Sequence, residues 1–173
     1  MKKILAVILL GAVSAVSLNA EDLLDELDEC MKKQNQSACQ KLIDEGVVSV
    51  EKCGDVCVHA GLIYSVVENY HQALLYFEKA CDLKDEHGCT FLGYMYRDGK
   101  GARQDFFKAR QYFEKGCELS EGEACNSLGI LYVKGQGVKQ DRVRAKKYYG
   151  KACDLGNQKA CDNYRILNEQ GIK

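Results

Sequence analysis

Apolar side chains recur at helical spacing in pairs of segments along the C-terminal two-thirds of the chain. One such pair covers residues 123–133 and 142–155, separated by the glycine-bearing loop Lys134–Gly137. Asp141 is placed to cap the second helix, and Gly156–Asn157 to end it in a left-handed turn. No segment shows the alternation of a β-strand. The pattern therefore predicts two helices joined by a short loop.

This helix pair repeats every 36 residues. The same spacing of 36 residues separates the members of two series of cysteines, of a series of tyrosines, and of small residues at positions where paired helices would cross. These are Cys81, Cys117 and Cys153; Cys89, Cys125 and Cys161; Tyr76, Tyr112 and Tyr148; and Ala109 and Ala145 with Gly93 and Gly129. A fixed period of this size indicates stacked helical units. The first unit is shorter by the length of the glycine loop, which aligns Tyr64 with Tyr96.

The fold class predicted is all-α, a solenoid of αα-repeats. Residues 51–173 form the repeats and end in a lone capping helix at about 159–170, whereas residues 21–50 form a divergent helical hairpin. Atypical ends are expected because terminal repeats face water.

Residues 1–20 are typical of a secretory signal peptide. Lys2 and Lys3 precede an uncharged, mostly apolar run from Ile4 to Val16, and small residues lead to Ala20. A run of this length is too short to span a bilayer, which needs roughly 20 residues. The sequence predicts a periplasmic or secreted protein without stable membrane insertion.

Ten cysteines follow the predicted cleavage point, an even number that indicates disulfides in an oxidising compartment. Cysteines eight residues apart end one helix and begin the next, which predicts the bonds Cys81–Cys89, Cys117–Cys125 and Cys153–Cys161. Cys30–Cys39 and Cys53–Cys57 are the remaining local pairings, and crossing among these four stays open. The alternative at Cys53, Cys57 and His59 is a zinc site, although no fourth ligand is evident.

Charge and motifs give no support for several function classes. The formal net charge of −1 gives no support for nucleic-acid binding. Ser49–Lys52 fits the Ser-x-x-Lys pattern of serine β-lactamases, but the two accompanying motifs are absent, and Ser49 also fits a helix cap. The sequence predicts no cofactor, no metal and no identifiable catalytic residue.

The repeat resembles a known family. The segments Ala124–Tyr132, Gly135–Asp141 and Tyr148–Cys153 are similar to the Sel-one-like repeat, a relative of the tetratricopeptide repeat. With the eight-residue cysteine spacing, the chain resembles the exported cysteine-rich repeat proteins best known from Helicobacter. The resemblance implies a right-handed superhelix, a β-lactamase or penicillin-binding activity, and contact with a host as candidate functions.

The resemblance also implies a binding surface. The first helix of each pair would line a concave face, with Leu92–Gly93 set against the corresponding tetratricopeptide positions. The residues placed there are Thr90, Tyr94, Arg97, Asn126, Ile130, Lys134 and Asp162. Amides and cations of this kind bind extended peptides and carboxylates. We expect a binding module for a protein or peptide, with a peptidoglycan-like or β-lactam ligand as the alternative.

Overall fold

The computed structural model describes residues 25–26, 29–30, 33–44 and 57–173. The residues it describes contain helices and no strand, which confirms the predicted all-α repeat class. The helices are α1 (Gln36–Asp44), α2 (Cys57–Val66), α3 (Tyr70–Asp82), α4 (Glu86–Asp98), α5 (Phe106–Glu118), α6 (Gly122–Lys134), α7 (Arg142–Asp154) and α8 (Gln158–Glu169).

Two units divide the chain between Leu83 and Lys84. In the first, α2 packs against α3, and α1 contacts α2. In the second, each helix from α4 to α8 packs against the next, with α4–α5 and α6–α7 as the predicted pairs and α8 as the final helix. The predicted signal peptide lies outside the described residues, as does Ser49. No described helix combines the length and apolarity needed to cross a bilayer.

In the second unit, the second helix of each pair begins at an aspartate. Asp105 Oδ1 accepts hydrogen bonds from the backbone N–H groups of Phe107 and Lys108, at 2.9 and 3.0 Å. Asp141 Oδ1 accepts one from the backbone N–H of Arg144 at 2.9 Å, which confirms the predicted cap. The loop that precedes α7 begins at Gly135. The φ of Gly135 is 68°, a left-handed backbone conformation that glycine adopts at little energetic cost.

Each helix pair crosses at a glycine that faces an aromatic ring. A methyl group added to Gly93 would lie 2.4 Å from the ring of Phe113, and one added to Gly129 would lie 2.4 Å from the ring of Tyr149. In the first unit, a methyl group added to Gly61 would likewise lie 2.5 Å from a carbon of a phenylalanine ring on the partner helix. The prediction that small residues mark the crossings is therefore confirmed.

A second aromatic contact repeats in every pair as two stacked tyrosines. The centroid distances are 5.1 Å for Tyr64–Tyr76, 5.5 Å for Tyr96–Tyr112 and 5.4 Å for Tyr132–Tyr148. Tyr64 thus takes the place of Tyr96, as the shortened first repeat predicts. These rings pack helix against helix.

Disulfides join successive helices covalently. Cys117–Cys125 links α5 to α6 and Cys153–Cys161 links α7 to α8, with Cα atoms 4.7 and 4.6 Å apart. These two predicted bonds and Cys30–Cys39 are confirmed. The other described cysteines, which are Cys57, Cys81 and Cys89, are also disulfide-bonded.

The zinc alternative fails at Cys57. Because its sulfur is in a disulfide, it cannot supply the thiolate that zinc requires. The predicted partner of Cys57, Cys53, lies outside the described residues, so this pairing stays a prediction, as does Cys81–Cys89.

Candidate functional site

The predicted binding residues lie on α4, α6 and α8, the first helices of the second unit, but they differ in accessibility. Arg97, Lys134 and Asp162 present charged groups to solvent, and Ile130 is half-buried. These residues, with the exposed Ile166, define what we call the first-helix face.

Thr90 and Asn126 do not belong to this surface. Their exposed fractions are 4% and 3%, so the structure buries two residues that the sequence places on the binding face. Thr90 Oγ1 donates to the backbone carbonyl of Glu86 at 2.7 Å, and Asn126 Oδ1 accepts from Asn163 Nδ2 at 3.3 Å. Both side chains turn into the contact between helices, where a polar atom needs a partner.

A hydrogen-bond network centred on Glu123 connects the first helices. Tyr94 Oη on α4 donates to Glu123 Oε1 at 2.7 Å, and Asn157 Nδ2, at the cap of α8, donates to Glu123 Oε2 at 2.8 Å. Ser127 Oγ donates to Tyr94 Oη at 3.2 Å. Because the acceptor of two of these bonds is a carboxylate, they are stronger than neutral ones. The network fixes the three helices relative to one another.

The sequence indicated only part of this network. Tyr94 was expected on the binding face, yet its hydroxyl is committed to Glu123 and Ser127. Ser127 and Asn163 occupy the same repeat position, one period apart, and both are polar in the middle of a helix. A polar residue that recurs at one repeat position in the middle of a helix indicates a polar contact between repeats.

The Ser127–Tyr94 contact does not form an activated nucleophile. Burial raises the pKa of Tyr94 well above the ordinary tyrosine value. A phenol with a raised pKa is a poor general base, because little phenolate exists near neutral pH. Ser127 is also buried, with an exposed fraction of 3%. The arrangement is suited to holding helices together rather than to acyl transfer.

The raised pKa of Tyr94 predicts a loss of stability at alkaline pH. Above pH 10, the unfolded chain releases a phenolic proton that the folded chain keeps, so the free energy of unfolding falls as pH rises. We expect Tyr94→Phe to flatten this fall, as measured by urea unfolding at pH 8 to 11. Tyr149→Phe serves as a second variant, because burial raises the pKa of Tyr149 to about 12. A wild-type slope in both variants would contradict this explanation.

Arg97 has two partners at the edge of the first-helix face. Its guanidinium lies 4.6 Å from the centroid of the Tyr94 ring and donates two hydrogen bonds to Asp98, at 2.6 and 2.8 Å. These bonds lower the pKa of Asp98 and raise that of Arg97. The face thus offers the paired cation of Arg97, a second cation at Lys134, the carboxylate of Asp162, to which Arg165 donates at 3.0 Å, and two isoleucines.

No cluster of histidine, cysteine and carboxylate side chains suited to a metal ion occurs within the described ranges. The polar atoms of the first-helix face are donors and acceptors spread over three helices. This arrangement can bind an extended ligand through several weak contacts, which is how helical repeats bind partners.

Comparison with known proteins agrees with the architecture. A sequence profile of the Sel1 repeat matches residues 52–85, 87–121 and 122–157. Over 69 residues the chain is 36% identical to Beta-lactamase HcpA of Helicobacter pylori, a match that covers 40% of this chain and 22% of that protein. The chain therefore spans about a fifth of that relative's length.

Solved structures show the same fold. Helicobacter pylori cysteine rich protein B superposes with a TM-score of 0.52 at 27% identity, covering 82% of this chain and 92% of that one. A Sel1 repeat protein from Oxalobacter formigenes superposes with a TM-score of 0.69 at 21% identity, covering 86% and 62%. With three repeats matched in sequence and the helix pairs present in the structure, this chain belongs to the Sel1 repeat family.

Proposed function

We propose that this protein is a binding module that holds an extended protein or peptide segment on its first-helix face. The observation that supports this most directly is that the exposed Lys134 and Ile166 and the half-buried Arg97 and Asp162 lie on helices that the Glu123 network holds together. Cations and carboxylates bind peptide backbone and side-chain charges, and the apolar groups contribute buried area.

Rigidity of the face favours binding. Association costs free energy when side chains and helices must be ordered on binding, and this cost is smaller for a surface that is already rigid. Here Tyr94, Glu123 and Asn157 connect three successive first helices, and disulfides close the turns after α5 and α7. The helices below the exposed groups are thus positioned before a ligand arrives.

The disulfides also support the proposed compartment. All nine cysteines that the structure describes are in disulfides, and bonds of this kind persist in oxidising surroundings. We propose that the protein works in the periplasm or after secretion, where its ligand would be a protein, a peptide or a peptide-bearing cell-wall fragment.

Binding or slow hydrolysis of β-lactams is the second candidate. It is supported by the name of the Helicobacter relative, Beta-lactamase HcpA, and by its 36% identity over the matched repeats. Against hydrolysis, the described residue Ser127 contacts Tyr94, whose pKa is raised, and this contact does not activate a nucleophile. Ser49 and Lys52, the alternative pair, lie outside the described residues.

The binding proposal predicts that changes on the first-helix face weaken capture without unfolding the protein. The oxidised chain would be used to select peptides from a random display library, and their affinity measured by fluorescence anisotropy. Lys134→Ala with Ile166→Ser is expected to weaken the selected peptides about tenfold, since interface contacts of this kind contribute on the order of 1 kcal/mol each. The melting temperature should stay within a few degrees of wild type.

A control pair is offered by Gln111→Ala with Glu118→Ala, two exposed positions on α5. This variant should bind the selected peptides as wild type does. Equal loss in both variants, or no enrichment of any peptide, would refute the proposal. Turnover of a chromogenic cephalosporin that disappears on denaturation would instead favour the second candidate.

A further inference from the structure

Two equivalent grooves lie beside the glycine loops of the second unit, and none of the residues that define the first-helix face lines them. Their volumes are about 560 and 570 Å³. They are lined by matching residues one repeat apart, with Gly137 shared between them. The matching pairs are Tyr96 and Tyr132, Arg103 and Lys139, Gln104 and Gln140, Asp105 and Asp141, and Lys108 and Arg144.

Lysine and arginine outnumber acidic residues in the segments that line the grooves. Outside the first-helix face, residues 98–110 contain four lysines and arginines against two acidic residues, and residues 135–147 contain five against one. The two segments carry net charges of +2 and +4, whereas the whole chain carries −1. The charge is thus concentrated on the loops and on the second helices that begin there.

Several of these cations have no carboxylate partner among the residues that the structure describes. Within the part of the chain that the structure describes, no ion pair forms at Arg103, Lys139, Arg142 or Lys147. The nearby Asp105 and Asp141 accept backbone hydrogen bonds at the starts of α5 and α7, and Asp141 also pairs with Arg144 at 3.3 Å. A positive potential of this kind attracts and orients an acidic partner.

The aromatic rings in the grooves are already engaged. Tyr96 stacks against Tyr112 and has Lys108 Nζ 4.9 Å from its centroid. Tyr132 stacks against Tyr148 and has the Arg144 guanidinium carbon 5.8 Å from its centroid. Nucleic-acid bases and sugars bind to open ring faces, which these tyrosines do not provide. The cations themselves favour carboxylates, which guanidinium groups bind with two parallel hydrogen bonds.

An apolar side chain is exposed in the first turn of α5 and of α7, at the same repeat position. Phe107 and Val143, one period apart on α5 and α7, have exposed fractions of 54% and 45%. Phe107 also lines the first groove. An apolar group next to unpaired cations, repeated in two units, matches a ligand that carries apolar and acidic side chains together.

We propose that these grooves form a second docking surface, which binds an acidic protein segment with interspersed apolar side chains. Its carboxylates would pair with Arg103 and Lys139, and its apolar side chains would cover Phe107 and Val143. The surface is distinct from the first-helix face, so the two could bind different parts of one partner.

The test measures binding of a fluorescent peptide alternating glutamate and leucine to the intact oxidised chain by anisotropy. Arg103→Glu with Lys139→Glu is expected to weaken binding at least tenfold, while the affinity of wild type falls as salt rises. Lys115→Glu with Lys159→Glu is the matched control, because it makes the same change in net charge at exposed positions outside the grooves. The control should weaken binding less than about threefold.

Phe107→Ser with Val143→Ser should weaken the glutamate–leucine peptide but leave a glutamate–serine peptide unchanged. Equal losses in the groove and control variants would overturn the proposal, because they would show an effect of net charge alone. Tighter binding of duplex DNA or a sulfated polysaccharide than of the peptide would also overturn it. Lys134→Ala with Ile166→Ser should leave this binding intact, which separates failure here from failure of the first-helix face.

Discussion

Replacing Cys117 and Cys125 together by alanine is expected to lower the free energy of unfolding by about 2.5 kcal/mol. The bond closes a short loop of sequence separation 8, and removing it returns conformational freedom to the unfolded chain. Both cysteines are buried, so small voids add to the loss. The melting temperature should fall by roughly 5–15 °C, which calorimetry would measure.

The double substitution leaves no unpaired thiol from this bond, so misfolding through disulfide exchange is avoided. The matching variant Cys153→Ala with Cys161→Ala removes the bond that joins α7 to α8, at the same separation of 8 residues. It should cost a similar amount on the chain-entropy account. A change below about 0.5 kcal/mol in both variants would show that packing alone stabilises these turns.

Gly129→Ala is expected to destabilise the protein by about 1–3 kcal/mol through overpacking. The added methyl group would lie 2.4 Å from a ring carbon of Tyr149, closer than two carbon atoms can approach. Tyr149 has an exposed fraction of 4%, so the ring has no open space to move into. Chemical denaturation with urea would measure the loss.

Gly150→Ala is the matched control, because it also lies inside a helix of the same pair. There the new methyl group would lie 3.4 Å from the ring of Tyr164, an ordinary contact. Replacing glycine by alanine in a helix stabilises it by about 1 kcal/mol, so this variant should be at least as stable as wild type. Equal effects of the two substitutions would refute the explanation based on ring contact.

Periodicity is why the fold could be predicted from the sequence. A 36-residue step fixes which residues are equivalent, so one well-marked pair of helices defines the others. Helix ends were predicted within two residues at α6, α7 and α8, because Asp141, Gly135 and Gly156 mark the ends by their own backbone chemistry.

The site was harder to predict, because accessibility depends on helix contacts that periodicity does not contain. Thr90 and Asn126 occupy the same position in successive repeats, and because both are polar the sequence predicts that they are exposed to solvent. The close approach of neighbouring helices instead buries both. Asn126 then bonds to Asn163, 37 residues away. Burial of this kind becomes visible only when the rotation of each helix about its axis is known.

Mapping the disulfides of the native protein tests the central claim that sulfur bonds join successive helix pairs. Free thiols would be alkylated first, followed by cleavage without reduction. A glutamate-specific protease cuts at Glu118, Glu121 and Glu123, between Cys117 and Cys125, and trypsin cuts after Lys159, between Cys153 and Cys161. Mass spectrometry should find these two pairs of fragments still linked. Alkylated cysteines at these positions, or a bond from Cys125 to Cys153, would contradict the account.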